Sequence, residues 1–285
     1  MPISSLPKLE ESNLPKRFHK TQNVIGFPIS AEPFTEQVNA ILNWGQRRLS
    51  KVVCVANVHM LIEAKMHKAF AHVLHKADLL TPDGMPLVWL TGWFSGQPQD
   101  RVAGMELMLN ICKRATERRV SLFFLGSTSE NLQHIRARLQ QEFPDLTIAG
   151  MEELPFRPLT PEEDGALIRR LNDSDAGIIF LSLGCPKQEK WMHQHRGKVK
   201  AVMIGVGGVF PVYAGLQKWA PRWVRKSGLE WAYRLFQEPK RLWKRYASTI
   251  PVFIWLAIKQ VIKFKLGLDP DRSLRQQFKE SLQGQ

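Results

Sequence analysis

The stretch Lys51–Gly84, "KVVCVANVHMLIEAKMHKAFAHVLHKADLLTPDG", decides the fold. Its first six residues, Lys51–Ala56, are short, apolar and rich in valine, the pattern of a strand covered on both faces. From His59 to Ala77 no glycine or proline intervenes, so a helix is expected. "DLLT" then predicts a second short strand. Strand, helix and strand in so few residues make a βαβ unit, which joins parallel strands.

The alternation continues outward. Gly104–Arg119 reads as a helix, Val120–Gly126 as a strand, Ser129–Phe143 as a helix and "LTIAG" as a short strand. Thr160–Asp173 reads as a helix with Thr160 as N-cap and Pro161 in its first turn. "GIIFLSLG" (Gly177–Gly184) is a strand, "PKQEKWMHQH" a helix and "KAVMIGVGG" a last strand. The expected fold is α/β, with a mostly parallel sheet and helices on both faces. After about Leu216 helical stretches follow one another, with breaks expected at Pro221, Pro239 and Pro251. The resulting division is a flexible N-terminal arm at 1–22, an α/β domain at 23–216, a basic aromatic helical appendage at 217–266 and a polar tail at 267–285.

Composition excludes several classes. The 285 residues are 44% apolar, as in an ordinary globular protein. Cys54, Cys112 and Cys185 are scattered, which argues for a reducing compartment and against a disulfide framework. Neither a CxxC nor a zinc-spaced His/Cys cluster occurs. The first twenty residues lack the apolar core of a secretory leader, so none is expected. No apolar run reaches membrane-spanning length, and the nearest, Ile250–Ile262, carries Lys259.

The net charge of +14 is concentrated. Residues 218–265 hold twelve Lys or Arg against two acids, Glu230 and Glu238, with five of the nine tryptophans. Bases mixed with indoles suit an anionic membrane surface. They would also suit nucleic acid or a solvated helical face, but two acids cannot pair with twelve bases.

In parallel sheets ligands bind where strands end and helices begin. Asn57 follows the first strand, as a ligand amide or a helix N-cap. Two residues on, His59 reads more simply as a surface or packed histidine than as a catalytic one. Asp83, in Pro-Asp-Gly, is a turn residue or a carboxylate poised to take a proton from a hydroxyl. Gly126 begins a junction whose N–H groups could hold phosphate, although Thr128 or Ser129 explains itself as an N-cap. Gly184 and Pro186 lead into Lys187, Gln188 and Glu189. Lys187 at a helix start opposes the macrodipole, which hints at a diphosphate partner. "GVGG" (Gly205–Gly208) permits close backbone approach, and no dinucleotide fingerprint is present.

Taken together, "ANVHMLIEAK", "ADLLTPDGMPLVW", "RVAGMELM", "FFLGSTSENL", "LSLGCPKQEKWM", "IGVGGVF" and "GLEWAYRLFQEPKRLWKR" resemble the WecG/TagA/CpsF family of glycosyltransferases. The resemblance spans about residues 23–246. It implies a Rossmann-like domain and inverting transfer from a UDP-sugar, without a metal or other cofactor, to a polyprenyl-diphosphate-linked sugar. The setting it implies is cytoplasmic, peripheral on the inner face of the plasma membrane. It also implies roles: Asp83 as general base, Asn57, Arg101 and Gln188 toward the donor, and Arg234 and Arg241, with Lys244 or Arg245 nearby, toward diphosphate and membrane; Gly126, Lys187 and Gly207 join the donor side by their place at the strand ends. Three positions depart from the family's usual residues, with Val55 for threonine, Pro211 for aspartate and Trp219 for arginine. These changes keep a catalytically inactive scaffold of a polysaccharide assembly complex open as an alternative. No nucleic acid partner is expected, and surface alanines and tryptophans would serve a homo-oligomer contact as well as lipid.

Overall fold

The computed structural model describes residues 20–155 and 157–268. Most of the expected N-terminal arm and polar tail therefore lies outside the described residues. A hairpin, β1 (Thr21–Val24) and β2 (Phe27–Ser30), opens the described chain two residues before the expected start of the α/β unit, and α1 (Phe34–Gln46) follows. The deciding stretch then folds as β3 (Lys51–Ala56), α2 (Val58–Met66), α3 (Lys68–His75) and β4 (Leu79–Pro82). The single helix expected over His59–Ala77 is two helices. His67 is extended, and its backbone N–H and ring Nδ1 both meet the Glu63 carbonyl, which ends α2.

Beyond β4 come α4 (Met85–Ser95), α5 (Gly104–Ala115), β5 (Leu122–Gly126), α6 (Ser129–Glu142), β6 (Ile148–Glu152) and α7 (Pro161–Asp173). Thr160 caps α7 in a full capping box with Glu163. The core closes with β7 (Ile178–Ser182), α8 (Lys187–His195), β8 (Val202–Gly205) and α9 (Val209–Tyr213).

The six-stranded sheet has the order β4-β3-β8-β7-β5-β6, and every pair in it is parallel. Side chains alternate between two cores. Cys54, Leu80, Leu125, Leu181 and Met203 face the side covered by α2, α3, α7 and α8. Val53, Leu79, Phe124, Phe180 and Ile204 face α1, α5, α6 and α9. Chain order reverses around the adjacent strands β3 and β8, so the crevice at their carboxyl ends is where such a sheet takes a ligand.

Three helices follow, α10 (Arg222–Lys226), α11 (Glu230–Gln237) and α12 (Pro239–Lys265). Pro221 and Pro239 sit at helix starts as expected, but Pro251 lies inside α12 and does not break it. Proline there costs one ladder bond to the preceding turn. The Ser248 and Thr249 hydroxyls both donate to the Arg245 carbonyl, and Thr249 and Phe253 are buried, so packing holds the helix through it. Because it is continuous, α12 is long and apolar enough to cross a membrane by length and composition alone, which no stretch of the sequence was expected to be. It packs along α2, and Gln260 ties it to the hairpin by accepting from Ile25 N and donating to Asn23 O.

Candidate active site

The carboxyl ends of β3, β4, β7 and β8 border one cavity of about 650 Å³, whose opposite wall is α11 and α12. Asp83 follows β4, and its N–H donates to the Ala56 carbonyl at 2.9 Å, which pins the turn to the end of β3. Arg101 then holds Asp83 twice, through Nε to its carbonyl at 2.6 Å and through Nη2 to Oδ1 at 3.1 Å. The same Nη2 donates to Glu230 Oε2 at 2.6 Å, and Arg234 pairs with Glu230 Oε1 at 3.0 Å. A chain Asp83–Arg101–Glu230–Arg234 thus stitches the sheet edge to α11.

Burial pushes the Asp83 carboxyl up to about 6, and the Arg101 charge only partly opposes it. A base in that range is ionised at neutral pH yet holds a proton better than a solvated aspartate. Glu230 moves the other way. Its burial penalty is outweighed by Arg234 and Arg101, which hold it below the usual carboxylate range.

Asn57 caps α2, with Oδ1 accepting from Met60 N at 3.1 Å, and this leaves its NH2 group as the donor available to a ligand. Both readings of this residue are therefore compatible. His59 also lines the cavity. Its pKa falls to about 4, first by burial and then by Arg245, so it is neutral, and its Nδ1 is buried without a hydrogen-bond partner.

Gln188 is buried at the cavity floor against β8, where a Cβ on Gly205 would meet its Nε2 at 2.8 Å. Its Nε2 donates to Glu189 Oε1 at 2.8 Å, and its Oε1 has no protein partner. That orientation presents an acceptor to whatever fills the cavity. Gly207, with φ +53, turns the chain out of β8 beside it.

The cations on the far wall differ in what they already hold. Arg234 pairs with Glu230 and Arg241 with Glu238. Arg245 has no ion pair among the described residues, its Nε is buried and unpartnered, and burial lowers its pKa. Of these three arginines it is the one without a carboxylate partner among the described residues, although its backbone carbonyl is engaged.

Among the remaining residues picked from the sequence, Gly126, Lys187 and Lys244 do not line the cavity. Gly126 (φ +93) lies where β5 and β7 converge, and a Cβ there would meet Ser182 O at 2.9 Å, so close packing explains it. Lys187 is exposed because Gln188 and Glu189 take the inward face of α8. Lys244 lies over the Trp243 ring at 5.8 Å. Of the three departures, Val55 and Trp219 line the cavity and Pro211 does not. Trp219 carries the Arg225 guanidinium over its ring at 3.9 Å. Sequence reasoning missed Glu230 as a site residue, though its isolation among twelve bases was a signal. Among the described residues no group of three or more His, Cys, Asp or Glu gathers to hold a metal ion.

The sequence model of the glycosyl transferase WecG/TagA/CpsF family matches residues 22–266. The chain is similar to the N-acetylglucosaminyldiphosphoundecaprenol N-acetyl-beta-D-mannosaminyltransferase of Bacillus subtilis (strain 168), 28% identical over 75% of this chain and 81% of the relative. It is also similar to the enzyme of the same name from Staphylococcus aureus (strain MW2), 30% identical over 75% of this chain and 82% of the relative.

Proposed function

The chain belongs to the WecG/TagA/CpsF family of glycosyl transferases, and on that footing we propose that it moves an N-acetylhexosamine from a UDP-sugar to a polyprenyl-diphosphate-linked N-acetylglucosamine. The observation that carries this reading is the Asp83 carboxylate, raised to about 6 and opening into a cavity walled by guanidinium groups. Asp83 takes the proton of the acceptor hydroxyl as that oxygen attacks the anomeric carbon. The glycosidic bond to UDP breaks on the opposite side, so a single displacement inverts the centre.

Arg101 orients Asp83, and its own positive charge is shared with Glu230. Arg234 and Arg241 stabilise the charge that develops on the leaving UDP diphosphate, the part a divalent cation would otherwise take, so the reaction is written without a metal. Asn57 and Gln188 hold the donor sugar and nucleotide by their amides. The enzyme works on the inner face of the plasma membrane, held there by the bases and tryptophans of 217–266, in the synthesis of a cell-surface polysaccharide.

The test is a panel of UDP-sugars with polyprenyl-diphosphate N-acetylglucosamine in anionic vesicles, with product anomers read by NMR. One donor should give an acceptor-dependent product of inverted configuration. A retained configuration, or no transfer from any UDP-sugar, would contradict the proposal.

A further inference from the structure

The cavity does not end at its arginines. Beyond Arg245, α12 runs through residues 246–258 without a single charged side chain. That is thirteen residues, roughly 20 Å of helix axis at 1.5 Å per residue. Phe253, Ile254, Ala257 and Ile258 recur there at spacings of three and four and line the same cavity. Trp89 and Leu90 of α4 line it from the other side. Trp89, Ile254 and Ile258 remain 57%, 51% and 55% exposed, an apolar surface that a soluble protein rarely leaves uncovered. At the far end the two helices meet, with the Phe94 and Phe264 rings 5.1 Å apart and Lys265 over Trp93 at 5.5 Å. The result is a bounded apolar trough that opens directly from the polar site, with half-buried Arg245, its Nε unpartnered, at the border.

We propose that this trough between α4 and α12 binds the first isoprene units of the acceptor, with Arg245 on the diphosphate next to them. The occupant is the acceptor's own chain rather than bilayer acyl chains, because the trough is continuous with the Asp83 cavity and Arg245 lies between the two halves. A diphosphate joined to an isoprenoid matches that sequence of hydroxyl, charge and hydrocarbon. This inference rests on the acceptor class given above. It adds that the enzyme measures the lipid and does not merely sit on the membrane that holds it.

Photocrosslinking tests it on the full chain. The probe is a polyprenyl-diphosphate N-acetylglucosamine with a diazirine on the isoprene unit next to the diphosphate, in vesicles. Label should fall within 85–95 and 246–258 and be competed by unlabelled acceptor. A diazirine phospholipid in the same vesicles should not label these segments competably. Label confined to other surfaces, or equal labelling by the phospholipid, would overturn the proposal.

A second measurement uses soluble acceptors of increasing chain length. Their KM should fall with each added unit until the trough is filled. Ala257→Trp should flatten that dependence and raise KM for the longer chains by about tenfold, the scale of overpacking an apolar site, with kcat at saturation less affected. A KM indifferent to chain length in the wild type would contradict the trough. If no acceptor supports transfer, the reaction assignment fails, while crosslinking, which needs no transfer, still decides the trough.

Discussion

β7 and α11 use apolar residues in opposite ways. Ile178, Ile179, Phe180 and Leu181 of β7 are each 0% exposed. α11 buries none of its eight residues and leaves Phe236 87% exposed. The sheet is complete in its own packing, whereas the C-terminal helices present surface that a second phase would cover. The cavity lies on the seam between them. Its carboxylate and amides are fixed by strand ends, while Arg234, Arg241 and Arg245 depend on how α11 and α12 sit. Activity should therefore follow the state of the helices even where stability does not.

The contrast can be broken first at the core. Phe180→Ala should destabilise the fold by about 3–5 kcal/mol, as for other buried aromatic truncations, read as a large fall in Tm. Trp223→Ala, at a side chain 70% exposed, should shift stability by no more than about 0.5 kcal/mol while lowering affinity for anionic vesicles. Equal losses of stability at both sites would remove the distinction.

Next in size is the cavity floor. Gly205→Ala places a Cβ 2.8 Å from Gln188 Nε2, so the amide must shift. Donor KM should rise by about tenfold, corresponding to ~1.4 kcal/mol, with the sheet still folded. An unchanged donor KM would remove Gln188 from the donor site.

The pH dependence sharpens the seam further. With Asp83 at about 6, kcat/KM should rise with pH through that value and level off above it. Stability moves in the other sense. The folded state holds the Asp83 proton more tightly than the unfolded chain, so its contribution is present at low pH and lost as pH rises through about 6. Asp83→Asn should therefore melt no lower than the wild type near neutral pH. A lower Tm would make Asp83 a structural ion pair.

The most local effect is expected at Gln260, whose amide ties α12 to the hairpin by two bonds at 2.7 Å. Gln260→Ala should cost about 1–2 kcal/mol. It should also raise hydrogen exchange in α12 more than in the sheet. Uniform exchange would mean that α12 and the sheet open as one unit.

Most of the sheet was legible because buried parallel strands read as apolar runs, as "KVVCVA" and "GIIFLSLG" do. The residues at those strand ends were legible too, since topology places Asn57, Asp83, Gln188 and Gly207 at one edge. α4 was given no range in advance, beyond a helix following Asp83, because "MPLVWLTGWFS" is apolar nearly all round and carries no helical period. The break at His67 has no glycine or proline to announce it. Pro251 misled because packing on α12 outweighs one lost backbone bond. Glu230 escaped because its partners, Arg101 and Arg234, meet only once α11 folds against the sheet edge.

The most direct measurement is acceptor-dependent UDP release by the wild type and Asp83→Asn in anionic vesicles, with Tm and vesicle binding recorded on both. A drop of about a hundredfold or more, with fold and binding intact, is the result predicted for a general base. Near wild-type release from the variant would contradict the account, returning Asp83 to the turn that its neighbours Pro82 and Gly84 would make without it.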